Sequence, residues 1–188
     1  MNKKILLPLF VLIAMAQLYV PAKMILDRED VLATGIEYKF RTAPVDPYDP
    51  FRGKYITLSF VDNNINVENR KDWKSGEPVY VLLENDKEGY AQFKSVSKIK
   101  PNEKDYLKTT VSYVNSKNTM RVDCPFNRFY MEESKALEAE KTYRASRRDT
   151  TQIAYAVVSI KNGEAVLKDV MINGRPIREI VKEKQQSE

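Results

Sequence analysis

Short runs in which apolar and polar residues alternate recur along most of the chain and predict β-strands. In the first run Ile36, Tyr38 and Phe40 alternate with polar neighbours, as one face of a half-buried strand does. The other predicted strands cover residues 54–61, 78–83, 90–99, 108–114, 119–124, 152–161 and 164–172. Many short strands separated by turn residues predict a mainly β, β-rich α+β fold, arranged as a compact antiparallel barrel or sandwich.

Asparagine and glycine pairs mark the tightest turns between these runs. Asn162-Gly163 separates the last two predicted strands, and type I′ turns favour this pair because both central residues need positive φ. Asn173-Gly174 follows the second of those strands. Residues 115–118 predict another hairpin, and residues 132–143, rich in Glu, Lys and Ala, predict the only helix of this part. Few of its residues are apolar, so we expect this helix on the surface.

The amino-terminal segment has a different pattern. Ile5 to Val20 is a run of sixteen residues without a charge, and apolar residues resume after Lys23 with Met24-Ile25-Leu26. A membrane-spanning helix needs about 20 apolar residues, so residues 1–26 predict an anchor in which Lys23 reaches the interface. The competing interpretation is a cleaved signal peptide with Ala14-Met15-Ala16 at its cleavage site.

Either interpretation exports the rest of the chain. Lys3 and Lys4 favour a cytoplasmic amino end, and a long carboxy-terminal domain crosses the membrane regardless of its charges. We therefore expect one single-pass protein of the cytoplasmic (inner) membrane, with residues 27–188 as a single β-rich extracytoplasmic, periplasmic domain. This length suits one hydrophobic core better than two.

Composition narrows the chemistry of the domain. The net charge is +5, and it is only +2 once Lys3, Lys4 and Lys23 are left out, so the sequence predicts no nucleic-acid partner. The chain has no histidine and a single cysteine, Cys124, which excludes a Ser-His-Asp triad, a histidine-ligated metal and an internal disulfide. It also lacks a glycine-rich nucleotide motif. We assign no catalytic residue, cofactor or metal, and the balance favours a protein that is not an enzyme.

The stretch from Pro44 to Phe60 is the most informative for function. Prolines stiffen its first half, which displays two aspartates, and Arg52-Gly53 then leads into a strand whose apolar residues alternate with Tyr55. One interpretation gives the aspartates to turn hydrogen bonds and Tyr55 to a second core layer. The other makes the loop a partner or ligand surface. The candidate residues of that surface are Asp46, Asp49, Arg52, Gly53 and Tyr55.

Gly53-Lys54-Tyr55-Ile56-Thr57-Leu58-Ser59-Phe60 resembles the Gly-Asp-Tyr-x-x-Leu-x-Tyr signature of the GDYXXLXY family of bacterial membrane-anchored proteins. Residues 28–35, 126–133 and 163–174 are also similar to segments of that family. Lys54 stands in place of the signature aspartate, and Phe60 in place of the final tyrosine. The resemblance implies a membrane-associated protein without an established enzymatic activity, and it suggests a multi-spanning membrane protein as partner.

We therefore expect an interaction or accessory module of the bacterial envelope, held at the membrane by its amino-terminal helix. One alternative is an envelope hydrolase that uses carboxylate or Ser-Lys chemistry, for which Ser59 lies on the same strand face as Tyr55 but no lysine occupies an identifiable base position. The other alternative is a carrier that holds a small ligand in its barrel interior.

Overall fold

The computed structural model describes residues 3–43, 55–61, 63–103, 105–132, 135, 138–139, 141–143, 146 and 152–187. Its elements are, in chain order, α1 (Lys3–Thr34), β1 (Ile36–Ala43), β2 (Tyr55–Thr57), β3 (Ser59–Phe60), β4 (Asn64–Asn66), a 3-10 helix (Arg70–Asp72), β5 (Pro78–Asn85), β6 (Ala91–Ser97), β7 (Tyr106–Val114), β8 (Thr119–Val122), β9 (Arg128–Tyr130), α2 (the helical residues described between 135 and 146), β10 (Ala154–Lys161), β11 (Glu164–Ile172), β12 (Arg175–Pro176) and α3 (Ile177–Ser187).

The strands wrap around one core as a nearly closed, antiparallel, barrel-like sheet. One five-stranded sheet has the order β12-β11-β10-β1-β3, the other has the order β4-β8-β7-β5-β6, and β2 pairs with β9 as a separate two-stranded ribbon. Inward-facing side chains from all three contribute to a single buried cluster. The predicted β-rich fold is therefore confirmed, and the described turn residues Asn162 and Gly163 have φ values of 52° and 85°, as a type I′ turn requires.

The strand predicted over residues 54–61 is divided between two partners. β2 pairs with β9, whereas β3 pairs with β1 through Thr42 and Phe60. The division falls at Leu58, whose N–H donates to the carbonyl of Asn127 at 2.8 Å. Ile56, Leu58 and Phe60 are nevertheless all buried, so the predicted alternation holds through the change of partner.

The domain has two α-helices where the sequence predicted one. α2 lies at the predicted place. Its Lys141 side chain is exposed, whereas Ala139 and Tyr143 are buried, so the helix contacts the core through a narrow face that contains a small residue and one tyrosine. The prediction missed α3, whose buried residues Ile177 and Val181 lie four positions apart on one helical face. β4 and β9 were also missed, since three-residue strands are too short to show a period of two.

Helix α1 runs from the apolar segment into the domain without a break, so the predicted boundary after residue 26 falls inside it. Arg28 Nη1 donates to the carbonyl of Ala165 at 3.0 Å, and Lys161 Nζ lies 2.6 Å from Asp30 Oδ2. α1 ends just before Gly35, whose backbone lies close to the last turn of the helix. A Cβ atom on Gly35 would come within 2.4 Å of the Val31 carbonyl oxygen. The final turns of α1 therefore pack on the β10–β11 hairpin.

Candidate functional site

Four residues of the predicted surface, Asp46, Asp49, Arg52 and Gly53, lie outside the described residues. Tyr55 is described and is the first residue of β2. Its side chain is half-buried and lies on the strand face opposite buried Ile56, so it does not fill a second core layer. The candidate site is therefore built outward from Tyr55.

The β2–β9 ribbon places Tyr55 beside residues that follow much later in the chain. Ile56 and its cross-strand partner Phe129 are each 2% exposed and face the core. Because side chains alternate along a strand, the other positions face outward. We call these four residues the ribbon surface: Tyr55 opposite Tyr130, and Thr57 opposite Arg128.

Aromatic rings and one guanidinium dominate the ribbon surface. The rings of Tyr55 and Tyr130 are 5.3 Å apart between centroids and inclined by 54°. The Cζ atom of Arg128 lies 5.2 Å from the centroid of the Tyr55 ring, within cation–π range. A hydrogen bond with Tyr130, together with the charge interactions of both tyrosines, raises the pKa of Arg128. Tyr130 remains 58% exposed, so the cluster is accessible to a partner.

The ribbon is supported from inside the domain. Phe129 packs in the core between Arg128 and Tyr130, and the guanidinium of Arg178 in α3 lies 4.9 Å from its ring centroid. Residues of β11 approach β9 on the same side. The outward residues are therefore carried by a strand whose middle position is fixed, which limits how far they can move.

Arg128 forms no ion pair with any residue that the structure describes. Sequence reasoning missed both Arg128 and Tyr130 as site residues. The segment 126–133 was noticed for its aromatic and acidic residues, but the pairing that brings it to Tyr55 joins distant parts of the chain. The one local signal was an arginine two residues after Phe126 and directly before Phe129 and Tyr130.

A second arginine on the domain surface has similar aromatic contacts and different charges around it. Arg41 Cζ lies 4.1 Å from the ring centroid of Tyr90, which in turn packs edge-on against Tyr155 at 5.7 Å. Its Nη1 and Nη2 donate to Asp86 Oδ2 at 2.6 Å and Glu88 Oε2 at 2.7 Å. We call these five residues the Arg41 cluster; it links β1 to the β5–β6 hairpin.

Nucleophilic and metal chemistry find little support in the described residues. Cys124 is buried, and burial raises the pKa of its thiol to about 12, so it stays protonated near neutral pH. Ser59 lies opposite Ala43 in the β1–β3 pairing. Within the described part of the chain, no group of three or more Asp, Glu, Cys or His side chains is placed to hold a metal ion.

One helix segment, Leu7–Thr34, is long and apolar enough to cross a membrane. None of its most apolar stretch is buried against the domain, and side chains such as Leu12 and Leu18 are 66% and 71% exposed. The fold therefore leaves this apolar surface uncovered.

A family model described as GDYXXLXY protein matches residues 17–170, from the middle of α1 to near the end of β11. This range includes β2, β9 and the whole ribbon surface. No curated protein and no solved structure matches the chain.

Proposed function

The chain belongs to the GDYXXLXY family, and we propose that it is a membrane-anchored docking module of the bacterial envelope. In this proposal α1 holds the protein in the cytoplasmic (inner) membrane, and the exported β-rich domain binds a partner through the ribbon surface. The partner is a protein of the same membrane, for which a multi-spanning protein is the first candidate. The observation that carries the proposal is the group of Tyr55, Arg128 and Tyr130 on the outward face of a fixed strand pair, with Arg128 and Tyr130 exposed.

The anchoring part of the proposal rests on the uncovered apolar surface of α1. About 20 apolar residues span the hydrocarbon region, and the part of the helix Leu7–Thr34 that precedes the charged residues 27–30 is about that long, with Lys23 as its one charge. With Lys3 and Lys4 on the cytoplasmic side, the domain lies on the outer side of the membrane. Because α1 continues into the contacts of Arg28 and Asp30 with the β10–β11 hairpin, the domain is held close to the membrane surface.

The docking part rests on residue type and exposure. Tyrosine and arginine are enriched among the residues that contribute most to binding between proteins. Here they lie on an outward face whose opposite side is packed in the core, so binding needs little reordering of the backbone. Asp46, Asp49, Arg52 and Gly53 belong to the stretch of sequence that leads to Tyr55, and we include them in the proposed surface.

Photo-crosslinking in intact membranes tests the docking part. We expect p-benzoylphenylalanine at position 130 to give one adduct of defined mass, and the additional substitution Arg128→Gln to abolish it. The same amino acid at position 113 is the matched control, since Tyr113 is also a tyrosine on the barrel surface and is 48% exposed. Equal adducts at both positions, or an adduct that survives Arg128→Gln, would contradict docking through the ribbon surface.

Membrane fractionation tests the anchor. We expect the protein to stay in the membrane pellet after carbonate extraction, because a spanning helix is not released by high pH. A soluble protein whose amino terminus is Gln17 would instead support the signal-peptide interpretation.

A further inference from the structure

Building on the docking function proposed above, we propose that the ribbon surface binds a segment of its partner that carries two carboxylates two residues apart. The inference concerns the chemical class of the ligand. It comes from comparing the two arginines that lie on tyrosine rings in this domain.

The Arg41 cluster supplies an internal example of the contact. The guanidinium of Arg41 lies on the Tyr90 ring, and two of its nitrogens each donate to one carboxylate. Those carboxylates belong to Asp86 and Glu88, which are two residues apart in the turn between β5 and β6. The N–H donors of a guanidinium that lies on an aromatic ring are therefore paired here with two carboxylates whose residues are separated by one position.

Arg128 reproduces the aromatic half of that arrangement. It lies over Tyr55 at 5.2 Å and is hydrogen-bonded to Tyr130, but no described residue provides a carboxylate for it. A guanidinium has five N–H donors, so most of them are left for solvent or a ligand. Charge complementarity therefore selects an anionic ligand, and the fork of donors suits carboxylates.

The two tyrosines favour a peptide as the source of these carboxylates. The Tyr55 ring lies under the guanidinium and the Tyr130 ring packs 5.3 Å from it, so together they offer apolar area to the backbone and aliphatic side chains of a bound segment. Thr57, the cross-strand partner of Arg128, completes the outward face with a small, exposed side chain. An isolated phosphate would use the charge of Arg128 but would leave most of this ring surface uncovered.

Fluorescence anisotropy with the full-length protein in neutral detergent micelles tests the proposal. The probes are two labelled peptides that differ at two positions two residues apart, which hold Asp and Glu in one peptide and Asn and Gln in the other. We expect the acidic peptide to bind about tenfold more tightly or better, and added salt to reduce the difference. Arg128→Gln should remove this preference, whereas Arg70→Gln, at an exposed arginine of the 3-10 helix, should keep it.

Several results would overturn the proposal. Equal binding of the two peptides would do so, as would an Arg128→Gln variant that keeps the preference. Displacement of the acidic peptide by phosphatidylglycerol but not by phosphatidylcholine would assign the surface to lipid headgroups. The last contrary result concerns thermal stability. If Arg128→Gln and the double variant Asp46→Asn with Asp49→Asn lose the same amount, and the triple variant loses no more, then the carboxylates that pair with Arg128 belong to this chain itself.

The two proposals fail in different ways. A crosslinked adduct at position 130 without any preference for the acidic peptide would refute the ligand class and leave docking in place. The absence of an adduct, together with no binding of either peptide, would refute docking through this surface.

Discussion

Among the described residues of the domain, two arginines lie on tyrosine rings, Arg41 and Arg128, and the charges around them differ. Arg41 is paired with Asp86 and Glu88, whose hairpin it joins to β1, and its side chain is 27% exposed. Arg128 lies on Tyr55 with a similar ring contact, but it is exposed and has no ion-pair partner among the described residues. The same pair of residue types therefore has two carboxylate partners in one place and, among the described residues, none in the other.

The difference follows from how much hydration each guanidinium loses in the folded protein. Arg41 is half-buried between two strands of different sheets, and a cation at such a position is stable only when hydrogen-bonded carboxylates replace its water. Arg128 keeps its water, so the fold does not require a partner for it. A surface arginine that lies on aromatic rings without a carboxylate is therefore a better indication of binding than one that already has its ion pairs.

Replacing Arg41 should give the largest effect on stability. We expect Arg41→Ala to lower the free energy of unfolding by about 1–3 kcal/mol, since it removes two charge-assisted hydrogen bonds and the contact with Tyr90. Chemical denaturation of the full-length protein in micelles measures the change. Arg175→Ala is the control, because its single ion pair with Glu183 is exposed and should contribute much less. Equal effects of the two substitutions would mean that Arg41 does not close the barrel.

Low pH should also weaken the Arg41 cluster, because its two carboxylates are then protonated. The backbone N–H of Tyr90, and then Arg41, hold the pKa of Asp86 below its ordinary value of 3.8. A depressed pKa stabilises the fold above the unfolded value, and this stabilisation is lost as the pH falls through the folded value. We therefore expect the thermal midpoint to fall as the pH goes from about 5 to about 3, and Asp86→Asn to fall less over the same range. Parallel pH profiles of the two proteins would contradict this assignment.

These clusters also show how far the sequence alone can be read. Alternating residues and Asn-Gly turns predicted the β10–β11 hairpin, because its register depends only on neighbours in the chain. The same alternation placed Tyr55 on the face opposite Ile56, as the structure confirms. Local patterns were sufficient in these places because each residue's surroundings are set by its own strand.

The rest of the candidate site depends on contacts between distant segments. Nothing in residues 126–131 indicates that Arg128 and Tyr130 pair with β2, since three-residue strands carry no register information of their own. Nor does the sequence tell which arginine finds carboxylates, because Asp86 and Glu88 reach Arg41 only when the barrel closes. The ribbon surface was therefore predictable at Tyr55 and not at the positions that give it its charge.

A carboxylate can be added beside Arg128 to turn one cluster into the other. Thr57 is the cross-strand partner of Arg128, so Thr57→Glu should give it an internal ion pair like those of Arg41. We expect a small rise in the thermal midpoint and weaker crosslinking at position 130, because the new carboxylate competes with the partner. Thr57→Gln is the matched neutral control and should leave crosslinking unchanged. Loss of crosslinking in both variants would show that size, not charge, matters at this position.

The smallest expected effect is on the stability of the Arg128→Gln variant itself. Its guanidinium is exposed and, within the described chain, has no ion pair, so its removal breaks only the contact with Tyr55 and one exposed hydrogen bond to Tyr130. Differential scanning calorimetry in micelles should give a melting temperature equal, within error, to that of the parent protein, although the crosslink at position 130 is lost. A melting temperature lowered as far as in Arg41→Ala would mean that Arg128, like Arg41, stabilises the fold, and the contrast between the two arginines would then disappear.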